Sequence, residues 1–153
     1  MDKGIYCLVL KNPACTVRVG ALGPVSFAAG WHCYIGSALG PGGLVRLERH
    51  FRLAEHRDRR PKWHIDYLLT DPRFRVAYAV SAPSTGRLEC LLASALAPGG
   101  TAVDQFGCSD CDCPSHLLYR RRDPEDEIVA AFTGLGLTPG IKTIITPKGK
   151  GNL

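Results

Sequence analysis

The 153 residues, 45% of them hydrophobic, are enough for one enclosed core and too few for two comfortable ones, so a single domain is expected. No run approaches the roughly 18 consecutive apolar residues of a membrane helix, and Lys3 precedes a short apolar strand rather than a signal-peptide core, which points to a cytoplasmic chain. The net charge of +5 is moderate, but Arg46, Arg49, Arg52, Arg57, Arg59, Arg60 and Lys62 fall within seventeen positions that hold three acids, a density that suits a phosphate polyanion and equally a solvated helix face.

Along the chain, Ile5 to Leu10 alternates with a period of two and predicts a strand, ended by Lys11-Asn12-Pro13. Cys15 to Phe27 predicts one or two short strands (Thr16 to Val19, Pro24 to Phe27) parted by Gly20 and Gly23, and Trp31 to Ile35 predicts a further strand, together forming antiparallel hairpins. Gly40-Pro41-Gly42-Gly43 reads as a turn, after which Leu44, Leu47, Phe51 and Ala54 recur at helical spacing. The charged stretch His56 to Pro61 breaks that helix, Trp63 to Leu69 makes a second, short one, and Val76 to Val80 returns to a strand. A third helix is expected under a Ser84 or Thr85 cap, with Leu88, Leu91, Leu92, Ala95 and Leu96 as its apolar stripe and Glu89 beside it. Val103 to Phe106 and Leu117 to Tyr119 predict strands around a cysteine-rich segment; a helix from Asp123 to about Phe132 precedes a weakly patterned tail.

Tyr6 and Tyr34 lie on neighbouring strands and share a face if the register permits, with Gly36 leaving room beside the backbone. Arg46 and His50, four apart, share a helix face flanked by Arg49, and Glu89 heads a later helix. Phosphodiester hydrolysis requires a base for water, a cation against the charge growing on phosphate, and a carboxylate-held metal, and this set supplies all three. Each residue taken alone is ordinary: tyrosine is a common strand residue, and arginines usually solvate a helix.

Gly4-Ile5-Tyr6, Tyr34-Ile35-Gly36, Ser37-Ala38 and Arg46-Leu47-Glu48-Arg49-His50-Phe51, in that order, resemble the motifs of GIY-YIG nucleases, a superfamily of homing endonucleases and an excision-repair nuclease subunit. Trp63-His64-Ile65-Asp66-Tyr67-Leu68-Leu69 and the stretch Phe106 to Leu117 resemble more specifically an uncharacterised prokaryotic branch, found alone or joined to a base-excision glycosylase of the endonuclease III type. The resemblance spans about Lys3 to Tyr119. It implies an α+β fold, a small central antiparallel sheet flanked by helices, in a nuclease domain over 1–122, with the helix and tail of 123–153 packed on it. It further implies an endonuclease acting on DNA, branched or damaged, with a glycosylase as partner by analogy. Tyr6 would act as or assist the general base with Tyr34 nearby, Arg46 would stabilise the phosphorane, His50 would shuttle a proton, and Glu89 would hold one Mg²⁺ or Mn²⁺. Gly36, Arg49, Arg52 and Lys62 would contact substrate. The 28 positions between the two signature tyrosines exceed the short hairpin usual in that superfamily, so residues 11–30 are read as inserted strands.

Seven cysteines, an odd number, three of them (Cys7, Cys33, Cys90) in apolar segments, suit reduced thiols. Cys108, Cys111, Cys113 and His116 offer three thiolates and an imidazole to Zn²⁺, though four candidates within nine residues are compressed for a zinc site, and a turn around Asp110 is the simpler reading. Arg120-Arg121-Arg122 presents either a grip on a phosphate backbone or a solvated strand end. Two other functions stay open on the same fold: a non-catalytic nucleic-acid-binding module, and a zinc-stabilised interaction domain.

Overall fold

The alternation from Ile5 to Leu10 sends side chains to both sides of β1 (Gly4–Asn12), and both sides are buried. The computed structural model describes residues 3–38, 43–84, 86, 88–97, 101–103, 106 and 115–143. In it β1 pairs antiparallel with β4 (Gly30–Ala38) on one edge and β5 (Arg75–Pro83) on the other. Outward from these lie β7 (Leu117–Arg120) and β6 (Thr101–Ala102) beyond β4, and β8 (Gly140–Thr143) beyond β5, giving six strands in the order β6-β7-β4-β1-β5-β8, every pair antiparallel.

Tyr6, Leu8 and Leu10 share one core with Leu47 and Leu53 of α1 (Val45–His56) and with Ile65, Leu68 and Leu69 of α2 (His64–Leu69). Ile5, Cys7 and Val9 share the other with Leu92, Ala93 and Leu96 of α3 (Glu89–Leu96) and with Ile128 and Phe132 of α4 (Glu125–Gly134). The result is α+β, an antiparallel sheet between two helix layers, as the resemblance implied. Burying each large aliphatic side chain on such a sheet is worth about 1.5–3 kcal/mol.

Within the segment 11–30 lies a separate two-stranded hairpin, β2 (Cys15–Arg18) with β3 (Pro24–Phe27), joined through a 3-10 turn at Gly20–Leu22. Its base is held by the Asn12 amide, whose Nδ2 donates to the Pro13 and Ala28 carbonyls (2.8 and 3.1 Å). That orientation leaves Asn12 Oδ1 to accept from Nδ1–H of buried His32 at 2.7 Å. Arg73 fastens the hairpin from another side, donating to the Thr16 carbonyl at 3.2 Å while paired with Asp71.

Four expectations are corrected. The strand placed at Val103 to Phe106 is instead the two-residue β6, and Phe106 sits in a turn, buried against Tyr34 and His64. The tail contains β8, which the pattern could not reveal because all four residues are exposed and only backbone pairing makes it a strand. Ser84 does not cap α3: its hydroxyl bonds Gly86 in a turn, and the helix begins later, at Glu89. Thr85 lies outside the described residues. The stripe of α3 is also rotated: Glu89, Leu92, Ala93 and Leu96 face inward while Leu91 is 55% exposed. Residues 90–93 and 95–97 are nearly all apolar or small, so periodicity alone could not select a face.

Candidate active site

The register of β1 against β4 sets Tyr6 opposite Gly36, and Leu8 opposite Tyr34, so the two tyrosines share a face two positions apart. The ring of Tyr6 lies across Gly36: a Cβ there would come within 2.5 Å of both Cζ and Oη. Any side chain at position 36 would therefore displace the ring. Tyr6 itself is 2% exposed.

On α1, Leu47, His50 and Leu53 are the buried residues, so the helix turns His50 into the core over the Tyr6 ring. His50 Nε2 and the Tyr6 hydroxyl are 2.9 Å apart, with ring centroids at 5.5 Å. Tyr34 and Trp63 each present an edge-on contact to the same imidazole, at 6.3 and 5.9 Å. Burial lowers the His50 pKa to about 4, helped by Arg49 and Arg46 and opposed by Asp66. Burial likewise pushes the Tyr6 phenol well above its ordinary value, with Tyr34 adding to the shift and Arg46 opposing it. At neutral pH both groups are thus uncharged, and a single proton lies between phenol oxygen and imidazole nitrogen. His50 Nδ1 finds no hydrogen-bond partner among the described residues.

One helical turn before His50, Arg46 donates from Nη1 to the Ser37 carbonyl at 3.0 Å, at the end of β4 that follows Tyr34 and Gly36. Its guanidinium lies 5.1 Å from the Trp63 ring centroid; the Arg49 guanidinium and the Lys62 ammonium lie at 4.4 and 5.6 Å. Arg49 is further tied by both amino groups to Asp66, at 3.2 and 3.1 Å. Asp66 is fully buried and also accepts from the backbone N–H groups of Lys62 and Trp63, which fixes the start of α2. Burial opposes its ionisation, but the bonds from Arg49 and from those two N–H groups outweigh this and hold its pKa below the ordinary value.

Glu89 stands apart from this group. It is 7% exposed and shares the inward face of α3 with Leu92, Ala93 and Leu96, against the side of the sheet opposite Tyr6. It follows the end of β5 that pairs with Gly4, so it belongs to the same end of the sheet as Tyr6 and Ser37. Its Oε2 is buried without a hydrogen-bond partner among the described residues. An orphaned carboxylate oxygen is the donor a hard divalent cation takes, and Mg²⁺ or Mn²⁺ fits it on that ground, with waters and substrate oxygens completing the shell. Among the described residues no group of three or more His, Cys, Asp or Glu side chains gathers for a metal, at Glu89 or elsewhere.

The remaining candidates are dispersed. Arg52 lines, with Arg49, Arg59, Glu48 and Asp58, a recess of about 280 Å³ on the flank of α1, away from the Tyr6–His50 pair. Cys108, Cys111 and Cys113 lie outside the described residues; Ser115 and His116 lie inside them, both buried. His116 extends the β4–β7 ladder, its N–H donating to the Phe106 carbonyl and its own carbonyl accepting from Ile35, both at 2.9 Å. Cys7, Cys15, Cys33 and Cys90 are free thiols. Arg120 is no phosphate grip: it is buried, pairs with Glu127 at 2.6 Å and donates to the Leu96 and Tyr119 carbonyls, leaving only Arg121 and Arg122 exposed. Trp63 was not among the candidates; His64 and Asp66, two apart on a short helix, are alternatives in sequence for one place in the cleft, and Asp66 is the one bonded to Arg49. A tryptophan three before an aspartate at a helix start is the only local sign of Trp63, and which way it faces depends on α1.

The family model for the domain of unknown function DUF123 matches residues 5–137. The chain belongs to that family. The family match begins in β1, carries the whole Tyr6–His50–Trp63 cluster and runs through α4, leaving β8 outside it. No curated protein and no solved structure matches the chain. No helix among the described residues is long and apolar enough to cross a membrane.

Proposed function

We propose that the chain is a divalent-metal-dependent endonuclease that hydrolyses phosphodiester bonds in DNA, and that its family is a branch of the GIY-YIG nucleases. The observation that carries this reading is the Tyr6–His50 hydrogen bond, seated over Gly36 and one helical turn from Arg46. The two signature triplets are the paired central strands, which supports the resemblance. Bonded through Nη1 to the Ser37 carbonyl, Arg46 keeps its other donors for a phosphate and opposes the charge that grows on it.

Burial keeps Tyr6 protonated, so it acts as a base only by relay. As a water oxygen bonds to phosphorus and the P–O bond to the leaving strand breaks, the water proton passes to the Tyr6 oxygen while the phenol proton passes to His50 Nε2. This requires the tautomer with hydrogen on Nδ1. Imidazolium is disfavoured in the resting core and becomes tenable once the anionic phosphate arrives. A metal bound at Glu89 would polarise the phosphate and lower the barrier to attack. The exposed Arg52 and Lys62 would steer the polyanion.

Supercoiled plasmid and branched or damaged duplexes, incubated with Mg²⁺ or Mn²⁺, test this. Cleavage is expected to vanish with chelator and to fall at least about 100-fold in Tyr6→Phe and in Glu89→Ala. Cleavage indifferent to both substitutions sinks the proposed site. Tight DNA binding with no cleavage in either metal would leave a nucleic-acid-binding module.

A further inference from the structure

The indole of Trp63 has three cations around it, the guanidinium groups of Arg46 and Arg49 and the ammonium of Lys62, within 4.4–5.6 Å of its centroid. Asp66 is the one acid among the described residues bonded into this group, and both its oxygens are used, on Arg49 and on backbone N–H groups. Three like charges so close repel one another, and one carboxylate leaves two of them uncompensated. The electron-rich ring face is what offsets the crowding, and the same ring touches His50 with its edge. We infer that Trp63 is a positioning residue of the nuclease site proposed above: its indole holds Arg46 beside the Tyr6–His50 pair, with Arg49 anchored to Asp66 as the fixed member of the stack, so that the two uncompensated cations, Arg46 and Lys62, meet a phosphodiester.

Arg49 and Arg46 then have different duties despite equal charge. Arg49 is spent on Asp66, whereas Arg46 has donors left for a ligand. The ring sets the spacing between them. Phe at position 63 would keep a weaker platform, and Leu none.

The inference rests on the nuclease reading but is tested without turnover. Affinity for a fluorescent duplex oligonucleotide is measured in EDTA for the native chain, Trp63→Phe, Trp63→Leu, Arg46→Ala and the Leu–Ala double variant, each checked for a cooperative melt. Trp63→Leu is expected to bind about tenfold more weakly and Trp63→Phe about threefold, with the double variant no weaker than Arg46→Ala alone. Independent, additive losses in the double variant overturn the inference, as does undiminished affinity in Trp63→Leu. A second readout serves if Trp63→Leu fails to fold or if the native chain binds no DNA, a result that would sink the nuclease reading by itself. Arg46 and Arg49 Nε–H resonances of the native chain should be ring-shifted by Trp63 and move towards the random-coil position in Trp63→Phe; unshifted resonances in the native chain overturn the inference.

Discussion

A methyl group at Gly36 would need space already filled by the Tyr6 ring, 2.5 Å from its Cζ and Oη. Gly36→Ala is expected to push that ring aside, break its bond to His50 and cost about 1–3 kcal/mol in urea unfolding. Tyr6→Phe keeps the ring and removes only the hydroxyl, leaving Nε2 as well as Nδ1 of His50 without a partner, at about 1–3 kcal/mol. The two substitutions should therefore resemble each other in stability and differ in cause: the tyrosine side-chain resonances should shift in Gly36→Ala, whereas in Tyr6→Phe the aromatic contacts to His50 should persist. Strand alternation allowed Tyr6 and Tyr34 to share one face, and the register of β1 against β4 decided that they do. That Asp66 rather than His64 turns towards α1 was not legible in sequence, because residues two apart on a short helix exclude each other without saying which one wins.

Among the elements, β4 and α1 each place a histidine in the core: His32 beside Asn12, Phe27 and Phe74, and His50 beside Tyr6. Burial lowers both pKa values to about 4, against an ordinary value near 6.5. The unfolded chain therefore binds more protons between these limits. Stability is full above about pH 6.5 and falls as the pH drops to about 4, by up to about 3 kcal/mol for each histidine. Urea midpoints at pH 7.5 and 4.5 should differ accordingly, and a flat profile would contradict the burial of both rings. Asn12→Ala removes the acceptor of the His32 Nδ1–H and the clamp on the hairpin base, and should cost about 1–3 kcal/mol while exposing residues 13–29 to protease. The hairpin was foreseen from its Gly20 and Gly23 punctuation; the clamp that docks it joins Asn12 to Ala28, 16 residues apart in sequence, and leaves no local signature.

For the molecule as a whole, two helix layers grip one sheet, and β8 lies outside both cores with all four residues exposed. Lys142 approaches Phe51 and Glu48 of α1, at 5.3 and 3.9 Å, between exposed partners whose ion pair adds little. A chain ending at Leu137 should keep a cooperative melt and lose no more than about 1–2 kcal/mol, while the bared edge of β5 should raise its tendency to self-associate. Calorimetry and light scattering check both parts. A loss of cooperative unfolding would show that β8 belongs to the core after all.

The sequence by itself determined the order of most elements, the strand character of β1 and the presence of strands between Gly4-Ile5-Tyr6 and Tyr34-Ile35-Gly36, because these follow from local periodicity and turn residues; it was the motif resemblance that named Tyr6 and His50 together. Only the tertiary structure decided which face of α3 turns inward, and with it that Glu89 lies buried among leucines at the same sheet end as Tyr6 but on the other face. Only there, too, do Arg49 and Asp66 become a buried pair, Arg120 a structural cation and Trp63 the platform under three charges. The physical reason is common to all of them. A side chain's charge and shape are written locally, but the partner that satisfies them lies across a helix crossing or a sheet, and its position is set by packing summed over both cores.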